Sequence, residues 1–401
     1  TIPEISVGII EADNIDYILI GQFSHSDNQH SPLTPNSRFK LRDVMIGKDF
    51  HWQRNLDLTY TGSLEIKEAD GKKIAINHLP VEEYLRSVIA SEMNASAPIE
   101  FLKAHAVISR SWVLSQVGTK TEHHAVQGRT TDEEITKWYD RENHLHYDVC
   151  ADDHCQRYQG IPENEPQQVR LAILATRGEV LVDDDGTICD ARFSKCCGGV
   201  FEEFENCWEP VHHNYLAENT DTPQPTEVPD LTTEDGARAW IMSRPAQPFC
   251  SQASEKTLRQ VLNSYDLETP DFYRWQVEYS VDELSEIVRS RSGIDFGAIT
   301  DLIPLSRGTS GRIYRLKIVG TKHSIIVGKE LEIRKWLSRS HLYSSAFIVE
   351  KSGDRFILHG AGWGHGVGLC QIGAAVMAEE GYNYRQILAH YYNNAKISRL
   401  Y

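Results

Sequence analysis

A chain of 401 residues exceeds the usual size of one compact domain, so two lobes, or one domain carrying insertions, is the expectation. Apolar residues at 40% suffice for a core, and charged residues at 24% are ordinary for a soluble protein. The 57 acidic against 41 basic residues give a formal net charge of −16, which argues against a nucleic-acid partner, because phosphate binding relies on clustered cations.

Residues 1–79 read as β-rich, with apolar or alternating runs at 5–10, 17–20 and 56–66 separated by turn-prone Asp, Asn, Gly and Pro. From Pro80 the period becomes helical, with Val81, Leu85, Val88 and Ile89 on one face. A second helix is predicted from near Pro98 to about Gln116, with Ser96 as its cap. Residues 127–160, rich in His, Asp and Tyr, read as irregular. A helix over 166–175 and short strands over 180–182 and 188–194 follow. The proline-bearing stretch 219–235 looks like a linker or an exposed insertion. Mixed strands and a short helix fill roughly 274–350. From Phe356 come a strand, a glycine-rich turn and a helix ending near His390. No apolar stretch approaches bilayer length, and a start at Thr1 without Met fits a removed signal or anchor segment.

Glu92 is the sharpest local signal. It lies i+4 from Val88, i+3 from Ile89 and i+7 from Leu85, in the middle of an apolar stripe. A carboxylate there either pairs with a cation or holds a raised pKa, and the second is what a general acid needs near neutrality. Lys103 and Arg110, seven apart on the next helix, share a face and make the ion-pair alternative concrete.

Cys150-x4-Cys155, with His154 between them and His144 upstream, offers two thiolates and two imidazoles, a set that suits tetrahedral zinc. A disulfide between Cys150 and Cys155, or histidines that are only polar loop residues, are the competing readings, and His146 is an alternative to His144. Four protein donors would fill the shell, so the role would be structural. Of the eight cysteines, Cys196 and Cys197 are adjacent, and a mutual disulfide would be strained.

Six glycines between Gly360 and Gly373 crowd one turn and the start of a helix, allowing positive φ and close approach of a backbone or a sugar. The spacing fits neither a phosphate loop nor a dinucleotide fingerprint, so no nucleotide cofactor is expected. A tight packing turn is the equal alternative. Trp363, His365 and Gln371 are the residues there that could face a ligand.

Several of these segments together resemble the SpoIID/LytB family. "LPVEEYLRSVIASEMNASAPIEFLKAHAVISRSWVL" (79–114) looks like its first signature, and "GWGHGVGLCQIGAAVMAEEGYNYRQILAHYY" (362–392) like its second. "ARFSKCCGGVFEEFENCW" (191–208) resembles its S-x-x-GG block, and "LSRGTSGRIYRLKIVG" (305–320) and "EIRKWLSRSHLYSSAF" (332–347) its later strand-rich blocks. The resemblance implies an exported cell-envelope lytic transglycosylase that acts on peptide-stripped peptidoglycan glycan strands. Glu92 falls on the catalytic acid, and Lys103 and Arg110 fall on cationic cleft positions. Ser194 and His365 are candidate substrate contacts, and a zinc near the site, held by His144, Cys150, His154 and Cys155, is implied as well. A single acid suffices, because the muramic acid's own C6 hydroxyl attacks and leaves a 1,6-anhydro end, unlike the two-carboxylate arrangement of most glycoside hydrolases. Glu82, near the same helical face, keeps a hydrolytic pair open.

The expected fold class is α+β: two lobes of mixed strands, a helical catalytic segment and a cleft between. Its parts are a β-rich region (1–79), a helical region with the His/Cys loop (80–218), a linker or insertion (219–275) and a strand-rich region (276–401). The alternatives are a non-catalytic glycan-binding enhancer of a cell-wall amidase, and a zinc peptidase or amidase, for which no HExxH is present.

Overall fold

The computed structural model describes residues 1–94, 96–117, 126–139, 144–268 and 271–401. It is α+β, as the mixed periodicities imply. A six-stranded sheet runs in the order Val149–Cys150, Glu4–Ala12, Lys72–Pro80, Ser63–Ala69, Gln29–Pro32, Phe23–Ser26. An antiparallel sheet of Tyr17–Ile20, Arg38–Ile46 and Arg54–Tyr60 accompanies it. Alternation gives these strands one apolar face, which buries Ile5 and Val7 in the first and Phe39 and Leu41 in the second.

Strand Lys72–Pro80 leads directly into helix Val81–Glu92. Pro80 sits at its N-cap, and Glu82 and Glu83 occupy the first turn, where the helix dipole favours acids. Helix Ile99–Gln116 follows, buried nearly all round from Phe101 to Val113, as befits a central helix. Ser96 is not its cap: the helix starts after Pro98 without a side-chain cap, and the Ser96 hydroxyl bonds Asn94 Oδ1 and the Gln260 carbonyl.

The stretch expected to be irregular contains a hairpin, Val126–Thr130 with Glu134–Tyr139; residues 140–143 of that stretch lie outside the described residues. Glu134–Tyr139 pairs in parallel with Ser324–Gly328 and so joins the sheet of Ile299–Arg307 and Ile313–Gly320. Within 219–275, expected to be a linker or insertion, the described residues include helices Glu234–Met242 and Glu255–Val261. Helix Glu234–Met242 buries Ala237, Trp240 and Ile241 against Val200, Ala346 and Ile348. Region 274–350 holds two helices, Val281–Ser292 and Glu330–Trp336, where one was expected. The expected C-terminal helix is also two, Gln371–Glu379 and Tyr384–Tyr391, separated at Gly381 with φ +97°.

The largest core unites the N-terminal strands, the first helices and the C-terminal helices, and a second lies under the strands between 274 and 361. The two ends of the chain therefore meet. Strand Phe193–Ser194 pairs in parallel with Leu369–Cys370, while Ile188 makes only an isolated bridge to Val182. Gly368, at φ +74°, closes this junction, since a Cβ there would stand 2.0 Å from the Arg192 carbonyl oxygen.

Candidate functional site

Glu92 is the last residue of its helix, and its burial follows from the i+3/i+4 spacing to Val88 and Ile89. It is 6% exposed, yet it lines a groove of about 630 Å³. One carboxylate oxygen, Oε1, accepts from the Arg157 backbone N–H at 3.2 Å. The nearest cation is the Lys195 ammonium, 3.8 Å from Oε2, which donates instead to the Glu92 backbone carbonyl at 2.7 Å.

A second acid explains why Lys195 stands off. Asp266, fully buried, binds Lys195 at 2.9 Å and the Arg157 guanidinium at 3.0 Å. Arg157 is held further by Asp153 and lies over the Trp52 ring at 4.5 Å. Burial alone would raise the Asp266 carboxyl, but Arg157 and Lys195 hold it below the usual carboxylate range. Burial raises Glu92, and the pull of the same two cations does not reverse it. Two carboxyls sharing two cations are thus driven apart, one kept as an anion and the other biased toward its protonated form.

Strand Phe193–Ser194 brings Ser194 into the same groove. Its Oγ is buried and makes no hydrogen bond among the described residues. His365 also lines the groove, edge-on to Trp208 at 4.7 Å. Its Nδ1 accepts from the Val367 N–H at 3.0 Å, and its ring also bonds the Phe193 backbone. Burial, with Arg192 and Arg312 adding to it, holds the imidazole well below its usual range, so it is neutral. The bond to Phe193 ties His365 to the Ser194 strand.

His144, Cys150, His154 and Cys155 line the same groove and offer donor atoms that all lie within 4.8 Å of one another. Cys155 Sγ stands 3.7 Å from His144 Nε2 and 3.7 Å from His154 Nδ1. A zinc tetrahedron with bonds of about 2.3 Å to sulfur and 2.0–2.1 Å to nitrogen has an S···N edge of about 3.6 Å, so the spacing fits that ion. The Cys150 N–H donates to Cys155 Sγ at 3.4 Å, and the two sulfurs are free thiols. Cys150 is anchored by parallel pairing with Gly8.

The structure therefore gathers Glu92, Ser194, His365 and the four donors in one groove, but it places Lys103 and Arg110 elsewhere. Lys103 pairs with Glu100 at 3.1 Å, and Arg110, fully buried, forks onto both oxygens of Glu82 at 2.9 Å. Neither of these two cations, expected at the cleft or beside Glu92, lines the groove, and Glu82 is committed to Arg110. Lys195, Arg157 and Asp266 were missed by sequence reasoning. Lys195 sits beside Ser194 in a quoted block and was findable; Asp266 lies in the supposed insertion, with no motif around it.

Residues 69–182, which include Glu92 and all four donors, match the family model described as "Stage II sporulation protein", and residues 202–368 match a domain of unknown function. An uncharacterized protein of Brachyspira hyodysenteriae is 27% identical over 89% of this chain and 79% of its own length. Stage II sporulation protein D of Bacillus subtilis is 23% identical over 81% of this chain and 76% of its own. The amidase enhancer of Bacillus subtilis is 25% identical over 77% of this chain, which spans only 39% of that relative's length.

Proposed function

The chain is a SpoIID/LytB-family protein with a cell-wall-related role, and from that premise we propose that it is a peptidoglycan lytic transglycosylase with Glu92 as its single acid and base. The observation that carries the reading is the split between the two buried carboxyls. Asp266 absorbs the charge of Lys195 and Arg157, and burial biases Glu92 toward its protonated form at the floor of the groove.

Glu92 gives that proton to the oxygen linking muramic acid to glucosamine, and the glycosidic bond breaks toward it. The resulting carboxylate then takes the proton of the muramic C6 hydroxyl as that oxygen bonds the anomeric carbon, closing a 1,6-anhydro ring. Acid and base are the same group, the proton count closes, and no water is consumed. Ser194 lines the groove in which the sugar would lie. A peptide-stripped strand as substrate and an exported setting follow from the resemblance. Among the described residues no helix is long and apolar enough to cross a membrane.

His144, Cys150, His154 and Cys155 would hold a zinc ion that orders the loop beside Glu92. Four protein donors leave no open position, so the ion is structural and a zinc-peptidase reading is disfavoured.

The name of one relative, amidase enhancer, supports a second reading: a groove that binds glycan for a partner amidase without cutting it. Purified glycan strands, with and without stem peptides, separate the two by mass spectrometry. The expected products are anhydro ends, lighter by one water than reducing ends, formed by the wild type. With Glu92→Gln they should fall by about 10²–10⁴-fold. Reducing ends would indicate a hydrolase, and strands that are bound but uncut would favour the enhancer.

A further inference from the structure

Behind the groove floor lies a cluster that the proposed reaction does not use. Cys197, Asp221, Cys250 and Cys370 are all buried, Asp221 fully, and their ligand atoms lie within 4.8 Å of one another. They come from four separate segments. Cys197 follows strand Phe193–Ser194, Asp221 lies near the start of the proline-bearing stretch 219–235, Cys250 sits in the short turn Phe249–Ser251, and Cys370 ends strand Leu369–Cys370. The Cys197 and Cys250 sulfurs are 3.8 Å apart, and Cys197 Sγ is 3.6 Å from Asp221 Oδ2. With zinc bonds of about 2.3 Å to sulfur and 2.0–2.2 Å to oxygen, a tetrahedron has an S···S edge of about 3.8 Å and an S···O edge of about 3.5 Å. Both measured spacings match.

The surroundings are arranged as supports for such donors. The Gly199 N–H donates to Cys197 Sγ at 3.3 Å, and the Cys197 and Gly373 N–H groups donate to Cys370 Sγ at 3.3 and 3.4 Å. Asp221 turns Oδ1 to the Tyr391 hydroxyl at 2.8 Å and to His390 Nε2 at 3.1 Å, which leaves Oδ2 toward the thiols. Outer partners that fix a carboxylate in this way are what orient metal ligands. Gly373 permits the approach, because a Cβ there would lie 2.3 Å from the Tyr391 hydroxyl and 2.6 Å from Asp221 Oδ2.

We propose that Cys197, Asp221, Cys250 and Cys370 form a second, structural zinc site, independent of the His144 cluster and of the proposed reaction. On binding, the three thiols give up their protons to solvent and the carboxylate binds as it stands. The ion ties the 219–275 segment to the glycine-rich block. Cys197 and Cys370 also lie close in sequence to Lys195 and Gln371, which line the groove, so the site fixes its floor.

The test is metal content of the full chain, purified without chelator, by mass spectrometry of the metals, together with a thiol count under denaturing, non-reducing conditions. Wild type should carry one more zinc per chain than Cys250→Ser, and all eight cysteines should titrate as thiols once the zinc is chelated. Should Cys250→Ser fail to fold, Cys155→Ser serves. That variant lacks only the outer cluster and should retain one zinc, with three sulfur neighbours by X-ray absorption. A metal-free Cys155→Ser, a Cys250→Ser with wild-type zinc, or a disulfide among Cys197, Cys250 and Cys370 would overturn the proposal.

Discussion

Replacing Lys195 with Met tests whether the Glu92 proton is governed by the charge pair described above. The ammonium stands 3.8 Å from the carboxylate, and at an effective dielectric of about 20 that attraction is on the order of 4 kcal/mol, favouring the anion. This figure is a ceiling, because Asp266 lies closer to Lys195, at 2.9 Å, and neutralises part of its field. Removing the lysine takes away a cation that lowers the Glu92 pKa, so the pKa rises further above its ordinary range. A general acid must be protonated, so the rate falls as pH rises through that pKa. The alkaline limb of kcat/KM on peptide-free glycan should therefore move to higher pH in Lys195→Met and stay in place in Lys195→Arg. The position of the limb is the readout, since its height also reflects binding. A limb that stays put or moves to lower pH would refute the electrostatic account of Glu92.

Other outcomes follow from the same contacts. Asp266→Asn leaves Lys195 and Arg157 buried without their shared anion, and chemical denaturation should show a loss of about 3–5 kcal/mol. The wild type should lose stability as pH falls through the depressed Asp266 pKa, since that contribution is complete above the unfolded value and gone below the depressed one. Glu92 acts in the opposite sense: its contribution is complete below the ordinary carboxylate pKa and is lost as pH rises through the raised one, so Glu92→Gln should flatten that decline in thermal melts. Ser194→Ala removes a hydroxyl with no partner among the described residues and should leave the melting temperature unchanged or slightly higher while weakening glycan binding several-fold by titration calorimetry. Cys155→Ser should release the outer zinc and expose the segment around residues 144–158 to limited proteolysis, with stability becoming insensitive to chelator at that site.

The sequence alone singled out Glu92. Periodicity put Glu92 on the buried stripe of a helix that the structure draws over Val81–Glu92, because i+3 and i+4 neighbours share a face whatever the helix packs against. Donor chemistry at short spacing likewise marked His144, Cys150, His154 and Cys155, since a few residues of loop can close only so far. What periodicity cannot encode is the partner across the fold. Lys103 and Arg110 share a helical face, as their spacing says, but packing turned Arg110 onto Glu82 and left Lys103 with Glu100. The cations that Glu92 meets come from residues 157 and 195, and the acid that restrains them comes from residue 266, inside a segment whose proline-bearing start read as a linker. Only tertiary structure decided that split. A buried charge is set by whichever opposite charge lies within a few ångströms after folding, and separation along the chain carries no record of that distance.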